Sequence, residues 1–145
     1  MKNFLKFLFL IVLISCSEKF PVVENLSNSS YSLVNQEDKK FVFPKDAKGN
    51  ITVIGYIFTN CPDICPLTTN NMRLIKDELE HQKVENINFL SISFDPLVDT
   101  PEKLSKFAAV RNLDLSNWNF LTGEKSIIDS LMKEVGIIAV PSDTA

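Results

Sequence analysis

The junction between residues 51–58 and 61–66 constrains the fold more than any other part of the chain. An apolar, β-branched run ends there in Cys-Pro-Asp-Ile-Cys-Pro, which holds two Cys-Pro pairs. Proline fixes its own φ and disfavours the α conformation in the residue before it. Cys65 is therefore poorly suited to a helix interior, whereas Pro66 suits the first helical turn. The junction predicts a strand followed by a helix, with both sulfurs at the helix N-terminus.

A helix N-terminus favours a thiolate, because its unpaired amide groups and the helix dipole stabilise negative charge. We therefore expect the thiols of Cys61 and Cys65 to be ionised, close together and reachable from solvent. Such a pair can bind a soft metal ion or exchange with a disulfide. A purely structural disulfide is disfavoured, because the loop that it would close is very short and the entropic gain small.

Strands and helices alternate along the rest of the chain. The predicted elements are a hairpin at 31–34 and 40–43, strands at 51–58, 87–94 and 118–121, and helices at 67–82, from Thr100 and at 127–135. Strands that alternate with helices predict a parallel sheet with right-handed crossovers. The run at 51–58 is apolar at nearly every position, which is typical of a central strand covered on both faces.

Length and charge limit the possible functions. A chain of 145 residues with 45% hydrophobic residues holds one globular domain. Its formal net charge of −3 argues against nucleic acid as a partner.

The N-terminus predicts export and a membrane anchor. Lys2 and Lys6 precede an apolar run at residues 7–14, which is followed by Ser15 and Cys16. This order is typical of a secretory signal, and its last residues resemble a bacterial lipobox. We expect a lipoprotein signal peptide at 1–15, lipidation of Cys16, a tether at 16–29 and one domain at 30–145. The protein would then be a membrane-anchored bacterial lipoprotein on the periplasmic side, unless the run is an uncleaved anchor.

Four segments carry a resemblance to a known family. They are Tyr-Ser-Leu-Val-Asn-Gln at 31–36, Phe-Thr-Asn-Cys-Pro-Asp-Ile-Cys-Pro at 58–66, Ser-Ile-Ser-Phe-Asp-Pro-Leu-Val-Asp-Thr-Pro at 91–101 and Trp-Asn-Phe-Leu-Thr-Gly at 118–123. In this order they resemble the SCO/SenC family of copper-handling proteins. The resemblance implies an α/β, thioredoxin-like fold: a central, mostly parallel sheet with flanking helices and an N-terminal β-hairpin.

The resemblance also implies a function. Family members bind one copper ion through both motif cysteines and a histidine from a later hairpin, and they deliver copper to cytochrome c oxidase or keep its copper site reduced. Cys61 and Cys65 would then be the copper ligands, for Cu(I) or Cu(II). The implied partner is the copper-site subunit of the oxidase or another copper carrier.

The chain departs from the family pattern in its histidines and at its end. Its one histidine, His81, lies 16 residues beyond Cys65, about 24 Å along a helix, and cannot reach the same metal ion. The sequence stops at Ala145, before the family's histidine hairpin and final helix. We therefore expect the C-terminal strands and helix to be missing from a truncated product. The alternative is a short form that recruits a partner or uses its cysteines alone.

Three further residues are candidates near the site. The resemblance places Asp95 beside the copper loop, where it would orient the loop or help to dock a partner. Asp95 and Asp99 are equally well explained as turn and helix-entry residues. Asp63, between the cysteines, should be exposed, and Trp118 is expected to lie in the core.

Two functional hypotheses follow. The first is a metallochaperone that holds copper on Cys61 and Cys65 and passes it on by ligand exchange. The second is an extracytoplasmic thiol–disulfide oxidoreductase, with Cys61 attacking and Cys65 resolving. Whether the protein is an enzyme stays open at this point.

Overall fold

The computed structural model of this chain describes residues 24–137. The predicted signal peptide, Cys16 and the end of the predicted domain lie outside these residues. No helix within them is both long and apolar enough to cross a membrane.

Strands and helices alternate in the described part of the chain as the sequence pattern predicts. The strands are β1 (Tyr31–Asn35), β2 (Lys40–Phe43), β3 (Ile51–Ile57), β4 (Ile87–Ser93) and β5 (Trp118–Thr122). The helices are α1 (Ile64–His81), α2 (Pro101–Val110) and α3 (Lys125–Glu134), and a short 3₁₀ turn occupies Lys45–Ala47. The start of α2 follows its sequence signal, since the Thr100 side chain accepts a hydrogen bond from the Lys103 amide at 3.3 Å.

The strands form one mixed sheet in the order β2-β1-β5-β4-β3. β3 pairs with β4 and β4 with β5 in parallel, so the predicted parallel core is confirmed. The hairpin β1-β2 is antiparallel, and β1 joins β5 antiparallel through only two residue pairs. The C-terminal ends of β3, β4 and β5 therefore meet at one edge of the sheet.

β3 lies at the edge of the described sheet, so the prediction of a central strand is wrong for residues 24–137. Its apolar sequence reflects the two layers that cover it. Val53 and Ile57 pack toward α1 and α2, whereas Ile54 and Tyr56 pack against the cluster around α3. Burial on both faces thus made this strand apolar, although only β4 pairs with it.

Two apolar clusters lie on opposite faces of the sheet. The thiol face is the cluster beneath α1 and α2, and its buried members are Ile57, Cys65, Met72, Ile87, Phe89, Leu104, Phe107, Ala108, Trp118 and Phe120. The α3 face is the cluster beneath α3, and its buried members are Tyr31, Leu33, Phe43, Ala47, Leu90, Ile92, Leu121, Ile128, Leu131 and Met132. Adjacent residues of β4 alternate between the two faces, as the pleat of a strand requires.

Trp118 is a core residue, as expected. It is fully buried on the thiol face and stacks on Phe120 with ring centroids 5.6 Å apart. Its indole N–H donates to the Ser91 hydroxyl at 3.0 Å, which satisfies the polar atom of the ring.

Candidate metal and thiol site

The two cysteines lie where β3 passes into α1. This is the C-terminal edge of the parallel strands, where open α/β sheets place their sites. α1 begins at Ile64 rather than at the predicted Leu67, so Cys65 lies inside the first turn. The Asp63 carbonyl already accepts a hydrogen bond from the Leu67 amide at 3.3 Å. The helix can start before Pro66 because amides of the first turn have no intrahelical acceptor, and the missing N–H breaks no bond.

Cys61 has the environment of a thiolate. Its Sγ accepts a hydrogen bond from the Cys65 amide at 3.3 Å. Burial raises the pKa of the Cys61 thiol, but hydrogen bonds from the Cys65, Asp63 and Ile64 backbone together outweigh it. The net pKa lies below the ordinary value, as expected for a sulfur at a helix N-terminus.

Cys65 differs, and the expectation of two ionised, accessible thiols is wrong for it. The residue is only 3% exposed, and its Sγ accepts a hydrogen bond from the Phe58 amide at 3.4 Å. Burial, assisted by the nearby Cys61 and Asp99 charges, raises the pKa of Cys65 to about 11 against the lowering effect of the Phe58 amide. The two thiols therefore differ: Cys61 loses its proton more readily than an ordinary thiol, and Cys65 far less readily.

Asp99 is the fully buried carboxylate beside this pair. Its two oxygens accept from the Thr59 amide at 3.2 and 3.0 Å and from the Thr59 hydroxyl. The Ser93 hydroxyl donates to it at 2.6 Å, and Ser93 also accepts from the Asp95 amide at 3.1 Å. Asp99 thus connects the end of β4 and the start of α2 to the loop that leads to Cys61.

Asp95 and Asp63 have less direct positions. Asp95 is half-buried in the loop after β4, and its carbonyl accepts from the Val98 and Asp99 amides, as in a turn. Its role toward a copper loop stays a prediction. Asp63 is exposed, as expected, and precedes α1 without a side-chain cap.

The described residues contain no third metal ligand beside the two sulfurs. No group of three or more histidine, cysteine, aspartate or glutamate side chains within residues 24–137 is arranged to hold a metal ion. His81 is exposed at the far end of α1, which agrees with its predicted exclusion from the site. The donor set present is therefore two sulfurs, a set that suits Cu(I).

Comparison with known proteins identifies the family. The SCO1/SenC family profile matches residues 23–144. This chain belongs to the SCO1/SenC family. The SCO1 protein homolog of Bacillus subtilis is 36% identical over 99 residues, which are 68% of this chain and 50% of that protein. The chain spans about half the length of the curated relatives that it matches.

Solved structures of other SCO1/SenC proteins have the same fold. BsSco, described as a member of the Sco family of cytochrome c oxidase assembly proteins with a disulfide switch, is 31% identical with a TM-score of 0.74; the match covers 86% of this chain and 72% of BsSco. A SCO1/SenC family lipoprotein from Bacillus anthracis is 34% identical with a TM-score of 0.72, covering 79% and 69%. Bradyrhizobium japonicum ScoI with copper bound is 26% identical with a TM-score of 0.66, covering 81% and 73%. These likenesses confirm the predicted thioredoxin-like α/β fold.

The sequence pattern located the sulfur pair and indicated Asp99 as a candidate, but it did not predict the hydrogen bonds of Asp99 to Thr59 and Ser93. The usable signal was a hydroxyl residue after each of two buried strands: Thr59 two residues beyond β3, and Ser93 as the last residue of β4. A buried hydroxyl group needs a hydrogen-bond partner, and an acid six residues beyond Ser93 can supply one.

Proposed function

We propose that this protein is a membrane-tethered copper metallochaperone that assists assembly of the copper site of cytochrome c oxidase. Cys61 and Cys65 would hold the copper ion as cargo and pass it by ligand exchange to the copper-site subunit or to another carrier. The observation that carries the proposal is the adjacent sulfur pair at the N-terminus of α1, with Cys61 favoured as thiolate. Sulfur ligands select Cu(I) over harder cations.

The relatives support both the cargo and the pathway. A relative in the same family has been solved with copper bound, and BsSco belongs to a family of cytochrome c oxidase assembly proteins. A ligand from outside residues 24–137 or from the acceptor would complete the coordination, since the described residues supply two sulfurs.

The tether is part of the proposal. Lipidation at Cys16 would fix the domain to the outer side of the membrane, and the Bacillus anthracis relative is a lipoprotein. A domain anchored there would reach copper sites that face the same side.

Copper binding by variants tests the carrier function. Cu(I) titration of the full chain against a chromogenic chelator should give one ion per chain, and Cys61→Ser or Cys65→Ser should abolish it. Cys16→Ser is the matched control, because Cys16 is a cysteine that is not among the two proposed copper ligands. Unchanged copper affinity after both site substitutions would exclude the carrier function.

The unequal thiols also favour a second candidate, thiol–disulfide exchange. The Cys61 thiolate would attack one sulfur of a partner disulfide and release the other partner sulfur as thiolate. Cys65 would then lose its proton and attack Cys61, which forms the Cys61–Cys65 disulfide and leaves the partner dithiol with both electrons. A dithiol reductant must restore the pair before the next cycle.

A trapping experiment tests the exchange candidate. With a chelator present and glutathione disulfide as the probe, Cys65→Ser should accumulate a mixed disulfide on Cys61, whereas Cys61→Ser should accumulate none on Cys65. Absence of the adduct from Cys65→Ser would exclude exchange and leave the carrier as the function.

A further inference from the structure

Asp99 is the one fully buried acidic side chain among the described residues. Its hydrogen-bond donors are neutral: the Thr59 amide, the Thr59 hydroxyl and the Ser93 hydroxyl. Burial of a carboxylate is costly unless hydrogen bonds replace its hydration. Space filling alone therefore does not explain a carboxylate at this buried position.

Asp99 bonds to the segment that leads from β3 to the two cysteines. Thr59 lies between Phe58, whose amide donates to the Cys65 sulfur, and Cys61, whose sulfur accepts from the Cys65 amide. The carboxylate accepts hydrogen bonds from both the backbone amide and the hydroxyl group of Thr59. Both sulfur contacts depend on where this short segment lies, because each uses an atom within two residues of Thr59.

The far side of Asp99 is fixed to rigid elements. Ser93 ends β4, and Thr100 caps α2 directly after Asp99. The Asp99 amide itself donates to the Asp95 carbonyl at 2.9 Å. The sheet and α2 therefore determine the position of the carboxylate, and the carboxylate determines that of the loop.

We infer that Asp99 is a positioning residue that holds Thr59, and with it the segment 58–61, so that each cysteine sulfur meets its amide donor. It holds this segment through Thr59 and makes no hydrogen bond to either sulfur. Its charge also acts directly on Cys65, and Thr59→Val leaves that direct effect in place. The inference rests on the proposed function of the thiol pair as the reactive site, and it names the group that sets the geometry of that pair.

Three variants separate the charge of Asp99 from its shape and from its contact with Thr59. Asp99→Asn keeps one acceptor oxygen for Thr59 but replaces the other with a donor. Asp99→Ala removes both acceptors. Thr59→Val removes the hydroxyl donor at the other end of the contact while keeping the backbone amide. Glu102→Gln is the matched control, since it changes an exposed acid in the first turn of α2.

The readout is metal-free thiol reactivity in the full chain with Cys16→Ser, so that only the site thiols react. We expect Asp99→Ala to reduce the preference of iodoacetamide for Cys61 over Cys65 about fivefold, because it removes both acceptors that hold Thr59 and only part of that loss reaches the sulfurs. Asp99→Asn should restore part of the preference, and Thr59→Val should shift it in the same direction as Asp99→Ala. The change in the midpoint potential of the Cys61–Cys65 disulfide, measured against glutathione, should rank the variants in the same order as the change in labelling preference.

A merely structural role would give a different pattern. Lower melting temperatures with labelling ratios and midpoint potentials equal to those of Glu102→Gln would overturn the inference. If Asp99→Ala does not fold, Asp99→Asn and Thr59→Val still decide. Copper plays no part in these measurements, so a failure of the carrier proposal would be recognised separately by the copper titration.

Discussion

The thiol face and the α3 face are built differently, although they share one sheet. Buried hydroxyl groups lie on the thiol face beside its apolar cluster: Ser91 accepts from Trp118, Ser93 donates to Asp99, and Thr69 donates to the Cys65 carbonyl at 2.8 Å. The buried cluster of the α3 face consists mainly of aliphatic side chains from α3, β1, β4 and β5.

This difference separates stability from chemistry. Aliphatic burial stabilises without directional demands, whereas burying a polar group costs free energy unless a hydrogen-bond partner satisfies it. On the thiol face the partners also orient the loop and helix that carry the cysteines. We therefore expect changes on the α3 face to affect folding free energy alone, and changes on the thiol face to affect reactivity as well.

The largest expected effect is the difference between the alkylation rates of Cys61 and Cys65. Because burial raises the pKa of Cys65 to about 11 while that of Cys61 is lowered, iodoacetamide at pH 7 should modify Cys61 first. Cys65 should carry about a hundredfold less thiolate than an ordinary thiol. Mass spectrometry of labelled peptides across a pH series, with Cys16→Ser, measures both rates. Equal rates for the two thiols would contradict the unequal environments described above.

A cavity on the α3 face should destabilise without changing thiol chemistry. Leu131 is fully buried there, so Leu131→Ala should cost about 2–5 kcal/mol of unfolding free energy. Urea denaturation measures the loss. The ratio of Cys61 to Cys65 labelling under native conditions should stay at the wild-type value, and a changed ratio would break the separation of the two faces.

Extra volume between β3 and α1 should change both quantities. A Cβ on Gly55 would lie 2.3 Å from the Met72 sulfur, which is closer than atoms can approach. Gly55→Ala should therefore displace α1 or Met72 and cost about 1–3 kcal/mol. It should also weaken the contact of Cys65 with the Phe58 amide and raise the labelling rate of Cys65. The double variant Gly55→Ala, Met72→Ala should cost less than the sum of the two single variants, because Met72→Ala removes the clashing sulfur. Strict additivity of the two costs would argue against this clash.

The smallest expected effect is a loss of stability in acid at the other end of α1. The buried Lys76 ammonium contacts Asp114 at 2.9 Å and also contacts Glu80. The hydrogen bond from Lys76, aided by Ser116, lowers the pKa of Asp114 from 3.8 to about 2. Because the folded pKa lies below the unfolded one, this stabilisation is present above pH 4 and is lost as pH falls toward 2.

Asp114→Asn should therefore reduce the unfolding free energy at pH 6 by about 1 kcal/mol, a small value because the carboxylate is largely exposed. The difference from wild type should shrink as pH falls from 4 to 2. Asp129→Asn, in an exposed pair with Lys125 on α3, is the control. A constant difference over this pH range would contradict the assignment.

Local patterns predicted the elements, because hydrophobic periodicity and capping act over a few residues. The hairpin, the Thr100 start of α2 and the sulfur pair at the front of α1 all have signals of that range. The edge position of β3 has no such signal, since strand order depends on contacts between distant segments. The unequal thiols were also beyond the sequence pattern, because the burial of Cys65 and the nearby Asp99 charge arise only on folding.

β3 presents an unpaired backbone edge within the described residues, and its seven residues include no charged side chain or proline. Edges of this kind accept additional strands readily, and charges or prolines are the usual means of preventing it. β3 leads directly into Phe58 and Cys61, so an added strand would lie beside the start of the segment that carries Cys61. Whichever polypeptide supplies it, a strand added here would bring the residues that follow it in its own chain close to the partly exposed Cys61 sulfur.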